Sequence, residues 1–143
     1  INPRLTKTYR NLEHYGNPEK ILSDVEKQIR RRILLQTKTL ILTPRYLVEL
    51  SDDICAIIPL PEVLWIYDHA AMRRTIKGRQ LSYTIHVVTM KGEEYTLTGK
   101  SHREVSAIYH ELNTRYPNFF FGYSKEHQEM VQYVLHEMKN EKA

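Results

Sequence analysis

The sequence predicts an α+β fold, a curled antiparallel sheet with two N-terminal helices before it and two C-terminal helices after it. Three observations carry this expectation. Apolar residues recur at helical spacing at both ends of the chain. Period-two alternation runs through the middle, most clearly where Leu81, Tyr83, Ile85 and Val87 alternate with Ser82, Thr84 and His86. Short turns built on Pro, Gly or Asp separate the central apolar runs, and short turns join antiparallel neighbours. The expected division is one domain over 1–143, with a helical segment at 1–30, an antiparallel β unit at 31–98 and helices at 101–142.

The elements follow in order. Leu5, Tyr9 and Leu12 share one helical face, and Tyr15-Gly16 ends that helix. Asn17-Pro18 opens the next, with Asn as the cap and Pro at the first helical position, where its missing N–H costs nothing. Ile21, Leu22, Val25 and Ile29 form its apolar stripe. The helical period stops at Arg30-Arg31-Arg32. Roughly six strands are then expected: Ile33-Leu34-Leu35, Thr39 to Leu42, Tyr46 to Leu50 after the Thr43-Pro44-Arg45 turn, Ile54 to Leu60 after Ser51-Asp52-Asp53, a longer strand from Val63, and the alternating strand at Leu81–Val87. Lys77-Gly78 and Lys91-Gly92 are the expected hairpin turns, with Tyr95 and Leu97 continuing the apolar face. Ser101-His102-Arg103-Glu104 is a capping box ahead of Val105, Ile108, Tyr109, Leu112 and Tyr116. Pro117-Asn118 ends that helix, Phe119-Phe120-Phe121-Gly122-Tyr123 is read as a short aromatic connector, and Ser124 caps a last helix with Met130, Val131, Val134, Leu135 and Met138 on one face.

At 143 residues, 41% hydrophobic and 27% charged, the chain is long enough and apolar enough to bury a core, which argues against global disorder. The net charge of +4 is local: residues 1–50 hold ten Lys/Arg against five Asp/Glu, residues 51–100 six against six, and residues 101–143 five against six. Cys55 stands alone, so no internal disulfide forms, and its place before Ala56-Ile57-Ile58 reads as a small buried hydrophobe on a strand. No apolar run reaches the ~18 residues that cross a bilayer, and no secretory signal is visible.

Three stretches resemble a known group. Thr39-Leu40-Ile41-Leu42-Thr43-Pro44-Arg45-Tyr46-Leu47-Val48, then Ile57-Ile58-Pro59-Leu60-Pro61-Glu62-Val63-Leu64-Trp65-Ile66-Tyr67, then Pro117-Asn118-Phe119-Phe120-Phe121-Gly122-Tyr123-Ser124 resemble an uncharacterised bacterial domain family with a PH-like (pleckstrin-homology-like) barrel, over roughly residues 17–135. The resemblance implies a small curled barrel whose open end is plugged by a helix. It implies a hydrophobic segment elsewhere in the full protein, so a membrane segment upstream of Ile1 is an expectation, with the domain in the cytoplasm or at the cytoplasmic face of a membrane. Lipid-binding members of the wider class carry cations on their first hairpin. Here that hairpin has only Arg45 at its tip, so phosphoinositide binding does not carry over.

Two basic clusters stand out as candidates for lipid or anion binding: Arg30, Arg31 and Arg32, and then Arg73, Arg74, Lys77 and Arg79 around the Lys77-Gly78 tip. A guanidinium donates two parallel hydrogen bonds to phosphate, and each cation near an anionic membrane surface adds about 1 kcal/mol. The plainer reading, and the preferred one, is solvated charge at a helix end and on a hairpin. Nucleic acid is set aside: Tyr9, Tyr83, Tyr95, Tyr109 and Tyr116 fall where periodicity wants core, and no recognition motif is present. Seven scattered histidines form no metal motif. His110-Glu111 and His136-Glu137 lack a second His four residues after the first, since Thr114 and Asn140 stand there. No nucleophile elbow and no phosphate-binding glycine loop occurs, so neither an enzyme nor a cofactor is expected. Trp65 is read as core, and Phe119-Phe120-Phe121 as an anchor between the last helices.

The function expected from sequence is therefore a non-catalytic PH-like module, engaging a protein partner or lying beside a membrane as an accessory domain. An unpaired strand edge would be its docking element, a homodimer being one form of that contact. The alternative is peripheral binding of an anionic membrane surface through the arginine clusters.

Overall fold

A computed structural model describes residues 3–51 and 56–141, with side chains from Lys7 onward. It divides into two units, Ile1–Pro61 and Glu62–Ala143. The first holds helices α1 (Pro3–Glu13) and α2 (Pro18–Arg31) and strands β1 (Leu35–Gln36), β2 (Leu40–Leu42), β3 (Tyr46–Glu49) and β4 (Ala56–Pro59). The second holds β5 (Val63–Thr75), β6 (Gly78–Thr89), β7 (Glu94–Lys100), α3 (His102–Arg115), β8 (Phe120–Phe121) and α4 (Lys125–Glu141).

In the first unit Asn17 caps α2 as its sequence requires, its Oδ1 accepting from the amides of Glu19 at 2.9 Å and Lys20 at 3.3 Å. Strands β1 to β4 form an antiparallel meander in chain order, with Val48 opposite both Ile41 and Ile57. The helices cover one face of it. Leu12 of α1 and Val25 of α2 pack with Tyr46, Val48 and Ile57, and Ile21, Leu22 and Ile29 add to the cluster. Polar ties from α2 hold the β2–β3 turn. Gln28 Oε1 accepts from Thr43 Oγ1 at 2.8 Å and from the Arg45 amide at 3.0 Å, while the Tyr46 hydroxyl donates to Asp24 Oδ2 at 2.6 Å. Period-two alternation alone would leave one face of such a sheet in water. Instead every residue of β3 is buried, and Leu40, Leu47 and Ile58 on the face opposite α1 and α2 are buried as well.

In the second unit the strand order is β7-β6-β5-β8. Strands β5 and β6 form one long antiparallel hairpin whose ladder closes at Thr75 opposite Gly78. At its base Ile66, Ile85, Val87 and Leu97 are buried together with Ile108 and Leu112 of α3. On the other side Leu64, Trp65 and Val88 pack with Val131 of α4, flanked by Val134 and Leu135. The capping box is complete: the Glu104 amide donates to Ser101 Oγ at 3.2 Å and the Ser101 amide to Glu104 Oε1 at 2.8 Å. Ser124 Oγ accepts from the His127 amide at 3.0 Å at the start of α4.

The helices lie where the sequence puts them, α1 and α2 before the first strand and α3 and α4 after β7. The strands differ from expectation. A single curled sheet of roughly six was expected; the described residues form eight strands in two four-stranded sheets and no closed barrel. The additional strand with the least sequence signal is β8, which pairs parallel to β5 through Phe120 opposite Trp65 and Phe121 opposite Ile66. A two-residue strand has no period to read, so it passes for a connector. The Ser51-Asp52-Asp53 turn, the Ile54 strand start and Cys55 fall on or run into residues outside those described. Tyr9 is 39% exposed rather than core, while Tyr95 is buried and Tyr83, Tyr109 and Tyr116 are half-buried.

Candidate functional site: the β5–β6 arm

The hairpin outlasts its cover. Near its base, side chains are buried on both faces; from His69 to Arg74 on β5 and from Gly78 to Leu81 on β6 they are exposed. This far half is a two-stranded arm. On the β6 side, β7 pairs only with residues from Tyr83 onward. On the β5 side, β8 reaches only Trp65 and Ile66.

The arm carries one sequence-defined cluster whole. Arg74 is paired with Arg79 and Met72 with Leu81, and because side chains alternate along a strand, all four lie on one face. Arg73 opposite Gln80 lies on the other face, and Lys77 sits beside Ile76 in the turn. No Asp or Glu occurs between Asp68 and Glu93, and the described residues give these four cations no ion pair. Large apolar side chains are exposed among them: Met72 at 63%, Leu81 at 54% and Ile76 wholly. An open groove of about 760 Å³ runs from Arg74, Ile76 and Leu81 to Lys100 and Glu104 at the β7–α3 junction. Lys100 itself is buried.

The other cluster, Arg30, Arg31 and Arg32, lies in the first unit at the C-terminal end of α2. Arg30 pairs with Glu26 one turn back at 3.2 Å, both side chains exposed. Arg31 and Arg32 border a pocket of about 230 Å³ with Asp24, Gln28 and Pro44. Cations in the last turn offset the negative end of the helix, and that accounts for this cluster without a ligand.

Sequence reasoning did not find the polar and aromatic cluster at the foot of the arm. Trp65 is buried as expected, and its Nε1 donates to the Gly122 carbonyl at 2.9 Å, which fastens the β8 segment to β5. Its ring lies 4.4 Å from that of Tyr67, and Tyr67 stacks on His86 at 4.6 Å. His86 Nε2 and His69 Nδ1 are 3.1 Å apart, within hydrogen-bond reach. Burial, and the neighbouring His69, hold the His86 imidazole below its ordinary pKa, with Glu94 opposing. Burial raises the Tyr67 phenol, helped by Glu94 and Tyr123. Across the sheet the Tyr109 hydroxyl donates to Asp68 Oδ1, joining α3 to β5; burial and that carboxylate push the phenol far above its ordinary value. Period-two spacing places His69 and Tyr67 on one face, but the cross-strand register that brings His86 to them is not readable from one strand alone.

Among the described residues no group of three or more His, Cys, Asp or Glu is placed to hold a metal ion. No helix among them is long and apolar enough to cross a membrane. Of the Phe run, Phe120 packs into the cluster with Trp65 and Val131, while Phe121 is 47% exposed and meets Tyr109 edge-on.

A family of domains of unknown function, DUF6709, matches residues 17–131, from the cap of α2 into α4. The chain belongs to that family. No curated protein and no solved structure matches it. The DUF6709 match takes in the whole arm, the capping box of α3 and the Trp65–Gly122 tie.

Proposed function

We propose that this chain is a non-catalytic interaction module that docks an anionic partner through the β5–β6 arm. The observation that carries the reading is Arg74 facing Arg79 across the ladder on an arm without an acidic residue. Like charges directly opposite one another on a sheet destabilise it. An anion between the two guanidiniums relieves that cost, and guanidinium forks suit carboxylate and phosphate alike. Exposed Met72, Ile76 and Leu81 give the same surface apolar area to bury.

The PH-like reading belongs here. In its favour is the order of elements, a four-stranded antiparallel meander, then three antiparallel strands, then α3, which is what a curled barrel plugged by a helix requires. With it comes the proposal of a bacterial domain working in the cytoplasm or at the cytoplasmic face of a membrane. Ile76 at the extreme tip beside Lys77 favours a second docking mode, in which the arm meets an anionic bilayer directly.

The test replaces Arg73, Arg74, Lys77 and Arg79 by Ser. Binding to acidic peptides or to phosphatidylserine vesicles, measured in low salt, is expected to fall sharply in the variant and to fade with added salt in the native protein. Binding that is unchanged by the replacement and insensitive to salt removes the reading.

A further inference from the structure

Resting on the docking role of the arm, we infer that its occupant is an extended acidic peptide segment that adds as a strand to the open edge of β5. The edge is defined by one hydrogen bond. The Gly122 amide donates to the Ile66 carbonyl at 2.8 Å, so Ile66 turns its backbone polar groups away from β6. The β5–β6 register runs without interruption from Trp65 to Thr75. Backbone direction alternates along a strand, so Asp68, Ala70, Met72 and Arg74 also turn N–H and C=O outward. Beyond Ile66 no strand of the described residues pairs with that edge.

The chain itself begins this pairing and then leaves. Phe120 and Phe121 lie parallel along Trp65 and Ile66, and Gly122 at φ +84° turns the backbone away toward the Ser124 cap of α4. From there to Thr75 the edge offers roughly 20–25 Å of ladder, the length of an ordinary strand. Main-chain bonds to such an edge supply affinity, and side chains at alternate positions supply selectivity.

Charge selects the partner. An added strand places neighbours beside Arg74 on one face and Arg73 on the other, so acidic side chains are wanted at two successive positions, with an apolar one beside Met72. The same charge opposes a second copy of this chain: two arms edge to edge set four cations against four, and Asp68, the acid at the foot of that edge, is engaged by the Tyr109 hydroxyl. Edge cations are a known defence against self-pairing, and here they leave the edge open to a segment of opposite charge.

The experiment uses the full chain and a short synthetic peptide in which a Glu-Glu pair adjoins an apolar Val-Val run, with Lys-Lys in place of Glu-Glu as control, read by amide hydrogen exchange and titration. The expected result is slowed exchange at the outward amides of Asp68, Ala70, Met72 and Arg74 with the acidic peptide only. Met72→Pro removes one outward N–H without touching the β5–β6 ladder, and edge positions of this kind accept Pro. It is expected to weaken peptide binding by roughly two- to tenfold or more, at an unchanged circular dichroism spectrum. Arg74→Ser with Arg79→Ser is a second variant that keeps every backbone donor, and it is also expected to weaken binding. If the peptide binds, Arg74→Ser with Arg79→Ser weakens it, and Met72→Pro does not, strand addition is overturned while the docking arm survives. If neither peptide binds and phosphatidylserine vesicles do, the peptide is replaced by a bilayer and the inference fails. If nothing anionic binds, both readings fall together.

Discussion

Arg74 and Arg79 sit opposite each other across the β5–β6 ladder, on the face they share with Met72 and Leu81. Cross-strand charge pairs of this kind are worth about 0.2–1 kcal/mol, favourable when opposite and unfavourable when alike. Arg79→Glu is therefore expected to raise the thermal unfolding midpoint in low salt, with the gain shrinking as salt is added. The same substitution is expected to weaken binding of an acidic peptide. A variant that is both less stable and equally able to bind would show that the pair carries no functional strain.

The Tyr109–Asp68 hydrogen bond is a polar link between α3 and β5. Bonds to a charged acceptor contribute about 1.5–3 kcal/mol. Tyr109→Phe is expected to cost about that much, measured by denaturant unfolding, and to loosen the edge contact between this ring and Phe121. A cost below the error of the measurement would mean that water replaces the phenol without penalty.

Trp65 ties β8 to β5 through Gly122. Trp65→Phe removes the indole N–H and some packing volume, while the Gly122 carbonyl keeps His127 Nδ1 at 2.9 Å. Because the acceptor retains that neighbour, the expected loss is about 1–3 kcal/mol rather than more. The faster amide exchange that accompanies it is expected at Gly122, with the α2 amides unchanged.

His86 sets a pH dependence. Its folded pKa lies below the ordinary value of about 6.5, so between the two values the unfolded chain binds more protons than the folded one. Stability from this group is whole above about pH 6.5 and declines as pH falls below it toward the folded pKa. His86→Gln is expected to flatten that part of the stability profile. A profile that keeps its slope in the variant assigns the effect elsewhere.

Helix ends were legible in the sequence because each is written in a few adjacent residues: Asn17-Pro18, Ser101 with Glu104, and Ser124 all act where they stand. Hairpin turns at Lys77-Gly78 and Lys91-Gly92 were legible for the same reason. The Arg73–Arg79 cluster was visible as composition, but its meaning was not. Whether charges at a tip lie against a core or on a projecting arm depends on where β7 and β8 stop pairing, and that is a matter of register between distant segments. The Tyr67–His86–His69 stack was hidden likewise, as was the burial of both faces of β3, which needs every neighbour of that strand to be placed first.

The projecting arm also makes the molecule self-reporting. Trypsin cleaves after Lys and Arg, and Arg73, Arg74, Lys77 and Arg79 occupy a segment with few buried contacts to restrain local opening. The earliest nick in a gentle digest should fall there. Whatever ligand seats itself along that stretch would then announce its presence by delaying the cut, before its identity is known.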